Sequence, residues 1–175
     1  MAFHRLNTRR SIEALAQFMK GPATSEQVEA ARYLAETNDQ RWYSLLREAA
    51  EKNARIISYP TYAAELGGDK MLPLLVALEK NPDTATHLNA VMAMGSTRSR
   101  AAIPILLDQL KNPDVDISDR ASYGLRLLTH RTAIQDSQSR DRRAEYIKWS
   151  RWWEREGATA PIYGDSECGE MLLLP

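Results

Sequence analysis

The chain has 175 residues, 43% apolar and 26% charged, which suits one folded domain with a real core and speaks against wholesale disorder. Lys and Arg balance Asp and Glu at 23 each, so the surplus positive charge of a dedicated nucleic-acid binder is missing. A single cysteine, Cys168, excludes an internal disulfide framework and a thiolate zinc site.

In chain order, the first ten residues are polar and basic and lead into a helix near Thr8. Ile12, Leu15, Ala16 and Met19 share one face of it, Phe18 lies beside that face, and Gly21-Pro22 ends the run. Thr24 to Gln27 has the pattern of a capping box, opening a helix that turns Val28, Ala31, Leu34 and Ala35 inward. A third helix over about 39–52 carries Trp42, Leu45, Leu46 and Ala49 on its apolar side. Residues 53–58 read as a connector. Pro60 suits the first turn of a short helix over 59–66, closed by Gly67-Gly68.

Residues 68–131 then contain one unit written twice. Pro73 and Pro104 hold the same place in the two copies, 31 positions apart, and each precedes an apolar run. Met71, Leu72, Leu75 and Leu78 form the stripe of the first run, and Ala102, Ile103, Leu106 and Leu110 that of the second. Both runs end in Asn-Pro-Asp, at 81–83 and 112–114. Second helices follow, carrying Ala90, Ala93 and Met94, then Ile117, Ala121, Gly124, Leu125 and Leu128. Small residues there let neighbouring helices approach closely. Repetition at this period predicts stacked units. A last helix over about 139–156 places Tyr146, Trp149 and Trp153 on one face, with Trp152 beside it. The tail, 158–175, reads as irregular apart from the apolar run Met171 to Leu174, which is expected to fold back onto an apolar groove.

The early proline, the Asn-Pro-Asp connector and the small-residue second helix resemble HEAT repeats, in the short form of about 30 residues also found in phycobilisome lyase-like proteins. Looser copies span 10–37 and 39–67, with Trp42 in place of the proline. The terminal Trp-rich helix is similar to one that closes several bacterial HEAT-like proteins. The resemblance implies an all-α superhelix, a HEAT-like solenoid of about four helix pairs plus a C-terminal capping helix. It spans one domain, 1–157, with the tail beyond.

Such folds commonly bind through the concave face lined by the second helices. On that face the expected protein-binding residues are Tyr59, Tyr62, His87, Asn89, Ser118, Arg120 and Tyr123. Arg120, Tyr62 and Tyr123 rank first, because Arg and Tyr are enriched at binding hot spots. The aromatic stripe of the last helix is expected to seal the end of the stack. No catalytic, cofactor or metal residues are assigned. His4, His87 and His130 lack ligand spacing. Gly164-Asp165-Ser166, which resembles the nucleophile motif of one hydrolase family, has no downstream His.

The functional expectation is a non-catalytic protein-interaction module: a scaffold, an adaptor or an immunity-type binder. The alternative is a nucleic-acid-binding or base-excising HEAT-like protein using the basic C-terminal third. There, residues 120–155 hold nine Lys or Arg against four Asp or Glu, whereas residues 21–119 hold ten against fourteen. The run Arg140, Arg142, Arg143 reads as a solvated helix face. With no apolar run long enough to cross a bilayer and no secretory leader pattern, a cytoplasmic location is expected. A mature periplasmic protein whose leader has been removed would read the same way.

Overall fold

A computed structural model describes residues 9–133, 141–163 and the backbone of 172–173. Nine α-helices occupy the described residues: α1 (Arg9–Phe18), α2 (Ser25–Glu36), α3 (Tyr43–Lys52), α4 (Ser58–Gly67), α5 (Leu72–Glu79), α6 (Thr84–Met94), α7 (Ala102–Gln109), α8 (Val115–Thr129) and α9 (Arg142–Glu156). The chain is all-helical, as expected, apart from one short pairing. There, β1 (Arg131–Thr132) runs parallel to β2 (Leu172–Leu173). The tail is therefore not irregular throughout: its backbone returns to the end of α8. Where the Leu172 and Leu173 side chains go lies outside the described residues, as do His4, Arg140, Cys168 and Gly164-Asp165-Ser166.

The helix starts follow from local chemistry. The Thr24 side chain accepts from the Gln27 amide, and Gln27 Oε1 accepts from the Thr24 amide at 3.2 Å, so the capping box is complete. Gln27 Nε2 also donates to the Phe18 carbonyl at 2.7 Å, which ties α1 to α2. The duplicated Asn-Pro-Asp works the same way twice. Asn81 and Asn112 turn the chain by accepting from the amides of Asp83 (2.9 Å) and Asp114 (3.0 Å). Each Asp then caps the next helix: Asp83 accepts from the Thr86 amide, Asp114 from the Asp116 amide. Pro73 and Pro104 sit in the first turns of α5 and α7, earlier than the fourth-residue position the sequence suggests, where no helical amide partner is lost. Gly68, at φ 55° and ψ −132°, ends α4 in a conformation that L side chains rarely adopt.

One of these caps titrates. Hydrogen bonds from the Thr86 side chain and amide, helped by nearby Arg55, hold the Asp83 carboxyl below its ordinary value. A depressed folded pKa contributes stability that is present above the unfolded value, about 3.9, and is lost as pH falls through the folded one. Asparagine caps as well as aspartate without titrating. Asp83→Asn is therefore expected to match the wild type near pH 7 and to lose less stability on acidification, measured by urea denaturation from pH 6 to pH 3.

The helices pack as consecutive pairs, α1 with α2, α3 with α4, α5 with α6 and α7 with α8. The second members touch in series, α2 on α4, α4 on α6 and α6 on α8, and so form one continuous layer. This packing is consistent with an α–α superhelix. The layer is tight because its contacts are small: Ala31, Ala63, Ala64, Ala90, Ala93 and Ala121 are fully buried. At the last step a Cβ on Gly95 would meet Gly124 Cα at 2.7 Å, so the two backbones nearly touch.

The predicted stripes are largely those observed, with one exchange in α5. Leu72 is half-exposed on the outer side and Leu74 takes a buried place. In α9 the interior rings are Trp149 and Trp152, both fully buried and edge-to-face at 5.6 Å. Trp152 is thus part of the core face, while Tyr146 and Trp153 are half-buried at its margin. Trp149 and Trp152, three apart, lie on one helix face, and that face rather than the 149–153 pair is the buried one. Three polar anchors fix α9: Ser122 donates to Glu145, Arg100 donates to the carbonyls of Gly157 and Ala160, and Arg131 pairs with Glu156 at 3.4 Å.

Candidate protein-binding surface

The layer α2, α4, α6, α8 positions the predicted binding residues, and it sorts them. Tyr59 is 2% exposed and belongs to the core, where it also lines a small polar hollow with Lys20, Glu48 and Lys52. It is removed from the surface set: position 59 is on the side of α4 that faces α1 and α3. Ser118 is removed for the same reason, being 1% exposed with its hydroxyl donated to the Val115 carbonyl. Asn89 is half-buried and has a structural task, donating from Nδ2 to the Ala54 carbonyl at 2.9 Å and so tying the 53–57 connector to α6. His87 is half-buried as well, and its Nε2 has no hydrogen-bond partner in the structure.

Three candidates remain on the open side. Tyr62 is half-buried, and burial pushes its hydroxyl pKa up, countered in part by Arg32 of the neighbouring α2. Arg120 is exposed and reaches back over Met92 of α6, with Nη1 at 3.9 Å from the sulfur. Tyr123, one turn on, is 37% exposed and is covered on one side by the Arg126 guanidinium at 5.6 Å. Arg120 thus meets Met92 across the α6–α8 step, Tyr123 lies one turn further along α8, and Tyr62 is one helix further along the layer. The residue types there are Arg, Tyr and Met, those enriched in the centres of protein interfaces.

A second concavity was not anticipated. A wide, open groove of about 890 Å3 runs across the first helices, lined by Leu72, Pro73, Val76, Ala101, Pro104 and Trp153, with Asp69 and Arg100 at its rim. Its two prolines are the duplicated ones. A signal was present in the sequence: α5 reads LPLLVALE, apolar on every side, as a helix buried all round would be. Yet Pro73 and Ala77 face outward. Arg100 is not free to recognise anything there, because its guanidinium is spent on the two carbonyls at the end of α9.

Among the described residues no group of three or more His, Cys, Asp or Glu side chains is placed to hold a metal ion. Among the same residues no helix is long and apolar enough to cross a membrane. Comparison with protein-family models, with curated proteins and with solved structures finds no match to this chain.

Proposed function

We propose that this chain is a non-catalytic protein-binding module of the HEAT-like kind, and that it engages its partner through the open side of the second-helix layer. The observation that carries this reading is the cluster of Met92, Arg120 and Tyr123 at the α6–α8 step. Arg120 and Tyr123 are exposed, while the helix beneath them is anchored by fully buried Ala121, Leu125 and Leu128. A rigid scaffold that presents Arg and Tyr loses little entropy on binding, which is how such positions become hot spots. Four consecutive helix pairs and the twice-written unit support the repeat reading. The polar positions along the layer, Arg32 and Tyr62 among them, supply the polar rim that interfaces carry.

Affinity capture from the lysate of the source cell, followed by mass spectrometry, tests the reading. One stoichiometric protein partner is expected. Co-purifying nucleic acid, with an affinity that falls steeply as salt rises, would favour the alternative that draws on the basic C-terminal third.

A further inference from the structure

We propose that the outward face of α9 is a second docking surface, fitted to an acidic amphipathic helix of a partner protein. This surface goes beyond the α6–α8 face described above and is independent of it. Its basis is a charge imbalance that folding sharpens. By sequence, α9 holds five basic residues and three acids. Folding occupies two of those acids: one is buried, and the other, with its side chain 41% exposed, is held by partners of its own. Glu145 is 2% exposed and accepts from Ser122. Glu156 is committed to Trp152 Nε1 at 3.1 Å and to Arg131. The exposed side is left with Arg143, Lys148, Arg151 and Arg155 against Glu154 alone.

Elsewhere many surface cations have a carboxylate close by. Arg32 pairs with Glu29 and Glu36, Arg47 with Glu51, Lys52 with Glu48, Arg41 with Asp39 and Lys111 with Asp108. Among the described residues, none of these four exposed cations has a carboxylate within ion-pair distance; Arg142, the fifth base of the helix, is half-buried. Arg155 turns to the Arg151 carbonyl instead, and Lys148 to that of Ala133.

Spacing gives the surface its shape. Arg143, Ile147, Arg151 and Arg155 are four residues apart, which places them on one stripe in steps of about 6 Å. Ile147 is 37% exposed, an apolar side chain set between arginines. An apolar centre with a charged rim is the anatomy of a protein interface. A phosphate backbone has charge to offer the arginines and nothing to bury the isoleucine, and the acidic residues of 21–119 disfavour a long polyanion. A helix with Glu at i, i+8 and i+12 and Leu at i+4 repeats the same 6 Å step with opposite sign.

The test uses the full chain, labelled with 15N, and a synthetic 16-residue helical peptide with Glu and Leu on that spacing. Amide shifts confined to residues 142–156 and weakening with added salt are expected. Reversing the charges with the double variant R143E/R151E should weaken binding at least tenfold, and a peptide with Lys in place of Glu should then bind that variant. Ile147→Ser should weaken the Glu peptide about threefold to tenfold without changing the salt dependence. R120E/Y123S, which alters the α6–α8 face, should bind the peptide as the wild type does, so the failure of one surface is separable from the failure of the other. The proposal is overturned if the Glu peptide gives no shifts on α9 at low salt, or if R143E/R151E binds it unchanged. It is equally overturned if a duplex DNA oligonucleotide occupies α9 more tightly than the peptide and is indifferent to Ile147→Ser. Peptide binding that appears only after Asp165, Glu167 and Glu170 are neutralised would contradict it too, since the chain would then cover its own face.

Discussion

Gly95→Ala should lower stability by about 1–3 kcal/mol, the usual cost of overpacking, although alanine is the better helix former by about 1 kcal/mol. Gly95 has ordinary helical backbone angles, so nothing in its own conformation requires glycine. What requires it is the neighbouring helix α8: the added Cβ would lie 2.7 Å from Gly124 Cα and 3.3 Å from its carbonyl oxygen, both backbone atoms. The reciprocal change is expected to be milder. A Cβ on Gly124 meets chiefly the two Leu106 methyls, at 3.2 and 3.3 Å, and a leucine tip can move where a backbone cannot. Thermal melts of the two variants check this, with each kcal/mol worth roughly 2–4 °C in a chain of this size. Equal melting temperatures would mean that α6 and α8 are not in backbone contact.

Trp149→Ala should cost about 3–5 kcal/mol, the range for removing a large buried ring, while Trp153→Ala should cost much less. Trp149 is fully buried in the core cluster and packs edge-to-face on Trp152, so its removal opens a cavity beneath α9. Trp153 is half-exposed along the groove beside Pro73 and Pro104, where solvent can follow the deletion. Urea denaturation followed by circular dichroism separates the two. A loss of several kcal/mol for Trp149 and about 1 kcal/mol or less for Trp153 is expected. Similar, small losses for both would show that α9 does not seal the end of the stack.

Much of the architecture was legible because repetition and capping are local signals. The two Asn-Pro-Asp connectors, the Thr24–Gln27 box and the terminal Gly67-Gly68 each specify a turn or a helix end within four residues. The structure has them where the sequence puts them. What stayed hidden depends on how helices rotate against one another. A stripe of period 3.6 leaves the exact inward direction open by about one residue. That is why Leu72 changed places with Leu74 and Trp152 joined Trp149 inside. The same freedom of rotation leaves Tyr59 and Ser118 indistinguishable by pattern from surface positions, yet they are buried, while Arg120 and Tyr123 are exposed. The charge of α9 was legible only as a total. Its segregation into two acids held by partners and an outward basic row needed the positions of Ser122, Arg131 and Trp152.

Two faces on opposite kinds of chemistry therefore stand on one scaffold, a mixed Arg–Tyr–Met patch across α6 and α8 and a cationic stripe on α9. Placing them on elements anchored by buried alanines, leucines and tryptophans keeps each in register without help from a partner. The central claim rests on the first of them. Its most direct test is affinity capture from the source lysate with the wild type and with R120E/Y123S side by side. Both positions are exposed, so the variant should melt within a few degrees of the wild type. The account predicts that the stoichiometric protein captured by the wild type is lost from the variant. The same protein retained equally by both would contradict it.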